Sequence, residues 1–269
     1  MGNTRSFTFD QFNNVTSETD PLGRTTRFVY NANGNLIELI DATGQRNRFA
    51  YDNIGRVSSF TDANGNATTF GYNGTTLGKP TQVTFPDAST QQIAYNQFGQ
   101  ISRLVDENGN ATEYITDDVG RLIVKRDALG NETKYTYDAQ LISSVIDPLG
   151  NVVKFEYDNA GRLIRQIDPF NAVTEFGYDA LGRRISETDP LGRTTTTTYR
   201  PDGLIAAIID PQNQKTSFEY DDSGNQTAVI DPLGNRTTFS YDALGRQIRK
   251  IDPLGNVGTY AYDAVNNLA

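Results

Sequence analysis

Apolar and polar residues alternate along this chain in short runs, and the same few turn residues cut those runs at regular intervals. Between Asp231 and Asp242, Thr237, Phe239 and Tyr241 alternate with Thr238 and Ser240, the period of two expected of a half-buried strand. A second apolar run follows each alternating one and is less regular: Leu163, Ile164 and Ile167 in one place, Leu36, Ile37, Leu39 and Ile40 in another. Two kinds of turn separate the runs. In Asp231-Pro232-Leu233-Gly234 the Asp carboxylate can accept from backbone amides just ahead, Pro fixes φ, and Gly supplies the left-handed residue. Tyr241-Asp242-Ala243-Leu244-Gly245-Arg246 does the same without Pro. The pattern predicts one β-hairpin per unit of sequence, hairpin after hairpin, with almost no helix.

That unit repeats. Its opening Asp stands at 20, 41, 62, 87, 106, 127, 147, 168, 189, 210, 231 and 252, and the steps 168 to 189, 189 to 210 and 210 to 231 are each 21 residues. A fixed period in this range marks a repeat architecture. The tenth residue after that Asp is mostly Tyr, as at Tyr30, Tyr51, Tyr178, Tyr199, Tyr220 and Tyr241, with Phe two earlier at Phe28, Phe49, Phe176, Phe218 and Phe239. Equivalent rings lie two strands apart, about 9.6 Å, so an intervening aliphatic residue must join them. The rings are read as packing residues, with a sugar-binding tyrosine ladder as the alternative.

The period is disturbed in the middle. Residues 73–80 lengthen a loop, Tyr95 follows Asp87 by only eight residues, Thr116 replaces the expected Tyr, and Asp138-Ala139-Gln140-Leu141 lacks a residue and the Gly of its turn. No linker or charge block marks a second domain, so residues 1–269 read as one array. Neither end resembles a capping repeat, which repeat proteins normally need. The array is therefore expected to be a piece of a longer protein, with no separate cargo domain. The fold class expected is all-β: about twelve 21-residue hairpin repeats in one long curled antiparallel sheet. About 24 strands at roughly 4.8 Å would curl rather than stay flat, leaving edges near Phe7–Phe9 and Tyr260–Tyr262 open to self-association.

Composition agrees with a thin sheet. Hydrophobic residues are 36% of the chain and Trp is absent. A net charge of −9 argues against nucleic acid or an anionic membrane as partner. There is no Cys, and hence no disulfide framework or thiolate chemistry. Residues 1–7 do not resemble a signal peptide, and the longest apolar run, Leu204 to Ile209, is too short to insert in a bilayer.

Copies such as Tyr157-Asp158-Asn159-Ala160-Gly161-Arg162-Leu163 and Asp189-Pro190-Leu191-Gly192-Arg193-Thr194-Thr195 closely resemble the rearrangement-hotspot (RHS) repeat, also called the YD repeat. The resemblance covers essentially the whole chain. It implies a strip of hairpins that spirals into a hollow shell. In bacterial polymorphic toxins and insecticidal toxin complexes such shells enclose a C-terminal toxic domain, and teneurins carry a related barrel. The implied role is structural, in an exported or cell-surface bacterial protein whose partners are an enclosed toxin or other parts of the parent. Nothing after Asp252 resembles the family's self-cleavage boundary, so cargo, cleavage site and plug are not expected in this chain.

Chemistry is mostly excluded. Without His there is no imidazole base, no Ser-His-Asp triad and no His-bound metal. No phosphate-binding loop occurs, since Gly78-Lys79 is followed by Pro80. Equivalent turn Asp residues should lie about 9.6 Å apart, beyond the separation of a retaining glycosidase pair. Asp62-Ala63-Asn64-Gly65-Asn66 and Asp106-Glu107-Asn108-Gly109-Asn110 only faintly resemble calcium loops, lacking the Gly at position six and the Glu at twelve. Asn-x-Thr triplets such as Asn66-Ala67-Thr68 fall out of the repeat itself. The expectation is no catalytic, cofactor or metal residue and no cofactor. Scaffold is the leading reading, a carbohydrate-binding surface of tyrosine rows the alternative, and an enzyme the remainder.

Overall fold

The computed structural model describes residues 4–73, 78–263 and Leu268. It is all-β, with twenty-five strands and no helix among the described residues. The chain divides into two compact units, Met1–Lys134 and Tyr135–Ala269.

The first unit contains β1 (Ser6–Phe9), β2 (Val15–Thr19), β3 (Thr25–Tyr30), β4 (Leu36–Ile40), β5 (Arg46–Tyr51) and β6 (Val57–Thr61). It continues with β7 (Ala67–Gly71), β8 (Gln82–Thr84), β9 (Thr90–Tyr95), β10 (Ile101–Val105), β11 (Ala111–Thr116) and β12 (Leu122–Arg126). The boundary falls inside β13 (Glu132–Asp138). The second unit holds β14 (Leu141–Ile146), β15 (Val152–Tyr157), β16 (Leu163–Ile167), β17 (Val173–Tyr178), β18 (Arg184–Thr188) and β19 (Thr194–Tyr199). It ends with β20 (Ile205–Ile209), β21 (Lys215–Tyr220), β22 (Gln226–Ile230), β23 (Arg236–Tyr241), β24 (Gln247–Ile251) and β25 (Val257–Thr259). Within each unit every strand pairs antiparallel with the next in sequence, as β3 with β4 and β21 with β22. Hairpin follows hairpin, as the alternation predicts.

Both turns of the repeat share one construction. Asp20 N–H donates to the Arg24 carbonyl, and Gly23 N–H donates back to the Asp20 carbonyl, both within 3.0 Å. This is a three-residue loop closed by a left-handed residue. Gly182, Gly203, Gly224 and Gly245 have φ of +79°, +91°, +82° and +75°, as the turn assignment requires. Asn171 and Asn213 occupy the same left-handed position where the repeat lacks Gly, because Asn tolerates it best among other residues. The shortened turn after β13 instead places Ala139 at φ +49°.

The irregular second run has a physical cause. At most of the turns that follow the repeat Tyr the register slips by one: Val29 faces Glu38 but Tyr30 faces Leu36, leaving Ile37 as the extra residue of a β-bulge. The same slip singles out Ile164 and Ile248. Two consecutive residues, both apolar at Leu36-Ile37 and Leu163-Ile164, thus oppose one partner, which breaks the alternation in the sequence without ending the strand.

One expectation is corrected. The turn between β8 and β9 opens at Phe85, not Asp87: Phe85 N–H donates to the Ser89 carbonyl, and Ala88 N–H donates to that of Phe85. Counted from Phe85, Tyr95 is again the tenth residue on. The copy is not short, then, and the excess lies wholly in the preceding loop. Asp87 instead supports the turn from inside, accepting from Ser89 N–H at 3.0 Å. Residues 74–77 of that long loop, and 264–267 of the last expected turn, lie outside the described residues.

Each unit is a single layer. Ala207 and Ala228 are the buried apolar residues among those described; β5, and β15 from Val153 on, alternate between half-buried and exposed positions, while β4 and β16 are half-buried throughout. With no second layer, cross-strand pairs carry the stability. Phe28 faces Leu39 and Phe218 faces Val229 as anticipated, while Phe49 meets Phe60 with ring centroids 5.3 Å apart. Phe70 likewise faces Val83, but at three other repeats the residue opposite is polar: Gln166 for Phe155, Glu187 for Phe176 and Lys250 for Phe239.

Candidate functional site

The chemistry-bearing residues of the repeat gather at its two turns. At Asp231, one carboxylate oxygen accepts from Leu233 and Asn235 N–H at 2.9 and 2.8 Å, and the other accepts from the Asn235 side chain at 2.7 Å. Asp62 and Asp106, the faint calcium-loop candidates, are engaged the same way by Asn64 and Asn66 and by Asn108 and Asn110. Hydrogen bonds from the side-chain amide of the following Asn hold the carboxyls of Asp62, Asp106 and Asp231 below their ordinary range. Each is an ionised acceptor already filled by its own turn. No group of three or more acidic side chains able to hold a metal ion occurs among the described residues.

At the Tyr-Asp turns an arginine replaces that Asn and links one turn to the next. Arg162 Nε donates to Asp158 at 2.7 Å and Nη1 donates to the Asp179 carbonyl at 3.2 Å, with the guanidinium 5.0 Å above the Tyr178 ring. Arg183 repeats the arrangement on Asp179, the Arg200 carbonyl and the Tyr199 ring. In the first unit Arg56 stacks 4.0 Å over Tyr72 while bonded to Asp52. Lys79 reaches the Gly99 carbonyl and Gln100 that of Gly120. Arginine suits this position because its planar head stacks on a ring while its edge bonds a carboxylate.

The tyrosines lie half-buried, and their hydroxyls have a structural task. The β2–β3 ladder is complete only as far as Ser17 opposite Arg27. Two residues beyond, the Val15 carbonyl accepts from the Tyr30 hydroxyl at 3.0 Å. Tyr51 clamps Leu36, Tyr72 Val57, Tyr157 Ile142, Tyr178 Leu163, Tyr199 Arg184 and Tyr241 Gln226 in the same way, each at 2.7–2.9 Å. Always fifteen residues back, the acceptor is the first carbonyl after the preceding turn or its neighbour. A hydroxyl on a long arm bridges the place where the bulged strands have splayed beyond backbone reach. Burial pushes the hydroxyls of Tyr72, Tyr95 and Tyr241 above their usual pKa.

Sequence reading placed the tyrosines as packing residues but missed both the hydroxyl clamp and the arginine stack. The available signal was the pairing of each Arg with the Tyr sixteen residues on, as in Arg162 and Tyr178 or Arg183 and Tyr199.

Comparison with known proteins agrees with this construction. The teneurin YD-shell pattern matches residues 2–164. The RHS repeat pattern matches five overlapping stretches, 160–194, 178–212, 199–236, 220–257 and 241–269. No curated protein matches the sequence. Among solved structures, TcdB2-TccC3 without its hypervariable C-terminal region superposes with a TM-score of 0.70 at 17% identity, over 98% of this chain and 18% of that one. TcdB2-TccC3-Cdc42 gives 0.69 at 18% identity over the same shares, and TcdB2-TccC3-TEV 0.68 at 18%. At such identity the likeness is one of fold. The chain spans 18% of the length of these structures.

Proposed function

The chain belongs to the YD-shell and RHS-repeat family, and from that premise we propose that it is a wall segment of a hollow β-shell within a longer exported or cell-surface protein. Its interior would hold a toxin or another part of the parent. The single observation that carries this reading is the tyrosine clamp. The residues that repeat most faithfully, Asp, Arg, Gly and Tyr, are committed to holding one turn and strand to the next. A site repeated for catalysis would leave some of those groups open, whereas a wall needs them closed.

The test is protease protection in the complete reading frame that contains this array. The enclosed segment is expected to resist cleavage while the array is intact and to be degraded once residues 106–252 are deleted. Equal cleavage of both forms would overturn the shell.

A carbohydrate-binding surface built on tyrosine rows is the weaker reading, because Tyr178, Tyr199, Tyr220 and Tyr241 are all half-buried and the hydroxyls of Tyr178, Tyr199 and Tyr241 are already bonded to backbone. A second partner class fits the outer strands. Phe7 and Phe9 on β1 are 47% and 54% exposed, and among the described residues β1 pairs with β2 alone. An unpaired edge of this kind accepts a further strand, from the parent or from another copy. Light scattering should show mass rising with concentration for the isolated chain; a strict monomer throughout counts against the edge.

A further inference from the structure

On the face of the first unit opposite the tyrosines, a cavity of about 290 Å³ lies over β8, β9 and β10, lined by Thr81, Gln82, Gln92, Ala94, Arg103 and Val105 among others. It has a counterpart in the second unit that explains what is missing from it. Arg165 stands eight residues after Tyr157, and Arg103 stands eight after Tyr95. Arg165 lies between two carboxylates, facing Glu156 on one strand and Glu175 on the next, at 2.8 and 3.4 Å. Arg103 faces Ala94 in the place of Glu156, and Glu113 in the place of Glu175.

Glu113 does not make up the loss. It is bonded to Arg126 at 2.7 Å, and its distance to Arg103 is 4.0 Å. The charged head of Arg103 therefore borders a hollow just where its counterpart holds a carboxylate. Gln82 and Gln92 stand opposite one another on β8 and β9. Neither side chain has a hydrogen-bond partner among the described residues. Beside Gln82 is Gly71, which contributes no side chain to the row.

We propose that this cavity binds a small carboxylate-bearing polar ligand, with the carboxylate on Arg103 in the position Glu156 takes beside Arg165. An arginine head pairs with a carboxylate through charge-assisted, often two-pronged hydrogen bonds. The Gln82 and Gln92 amides each offer two donors and an acceptor to hydroxyls or amides on the rest of the ligand. This hollow is open to solvent and at the small end of ligand sites, which suits a monosaccharide acid or a single acidic side chain. The carboxylate is common to both sources.

The experiment is isothermal titration at low salt with D-glucuronate, with N-acetylglutamate α-amide as the mimic of an acidic peptide side chain, and with D-glucose as the neutral control. At least one acid should bind and glucose should not, and the acid that binds identifies the source. Ala94→Glu restores the carboxylate that the second unit already accommodates, so it fills the site from within while keeping the fold; Arg103→Gln removes the charge. Both variants should weaken binding by about tenfold or more, with unchanged far-ultraviolet circular dichroism. Absence of binding by both acids at about 10 mM overturns the proposal, as does equal binding of glucose or binding that survives Ala94→Glu and Arg103→Gln.

Discussion

Tyr72→Ala is expected to lower stability by about 2–3 kcal/mol and Tyr72→Phe by about 1 kcal/mol. The hydroxyl of Tyr72 donates to the Val57 carbonyl at 2.7 Å, and Arg56 stacks on its ring at 4.0 Å while bonded to Asp52. Phenylalanine keeps the ring and its cation but leaves the Val57 carbonyl without that donor. Alanine removes both and frees Arg56 from its stack. The site is half-buried, so the larger figure stays below that for a ring deleted from a closed core. Urea unfolding reads the total. Hydrogen exchange in β6 and β7 tells whether the loss is local, as expected where each repeat is stabilised by its nearest neighbours. A Tyr72→Phe variant as stable as the parent would mean that the clamp adds nothing to the sheet.

Acid should unfold the protein over a narrow range. Hydrogen bonds from the following Asn or Arg side chain hold the carboxyls of Asp20, Asp147, Asp158, Asp189, Asp231 and Asp252 below their ordinary value. A carboxyl with a depressed folded-state pKa contributes stability that is fully present above its unfolded value. That stability is lost as the pH falls through the folded value. The protein should therefore be insensitive to pH near neutrality and lose stability from about pH 4 downward. Each contribution is small because the half-buried groups are still screened by solvent, but the repeat multiplies them. Asparagine already opens two turns without a charge: Asn31 accepts from Asn33 and Asn35 N–H, and Asn96 from Phe98 and Gln100 N–H, all at 3.0 Å. Asp→Asn at Asp147, Asp231 and Asp252 together should thus preserve the turns and flatten the acid limb, read by circular dichroism against pH. An acid transition unchanged by the triple substitution would show that these carboxyls do not govern it.

The hairpins, the two turns and their left-handed residues were determined by the sequence, because each depends on contacts only a few residues apart. Asp20, Gly23 and Arg24 meet within one loop, so their order along the chain is already their geometry. The repeat period placed Tyr and Phe on one face for the same reason. Where the turn signal was ambiguous, local reading failed by two residues: an Asp stood at position 87, but the loop opens at Phe85 and uses Asp87 from within.

What only the tertiary structure decided depends on register between strands. The bulge at Ile37 is a mismatch in count between two strands, invisible in either alone. Once it splays the ladder, the hydroxyl of Tyr51 must cross to a carbonyl fifteen residues back, and an arginine from one turn comes to rest on the tyrosine of the next. The opening beside Arg103 belongs to the same class. Whether an arginine is enclosed or left facing a hollow is set by the residues at two neighbouring strands, Ala94 and Glu113 here and Glu156 and Glu175 at Arg165. Those identities lie in the sequence, but pairing alone brings them together.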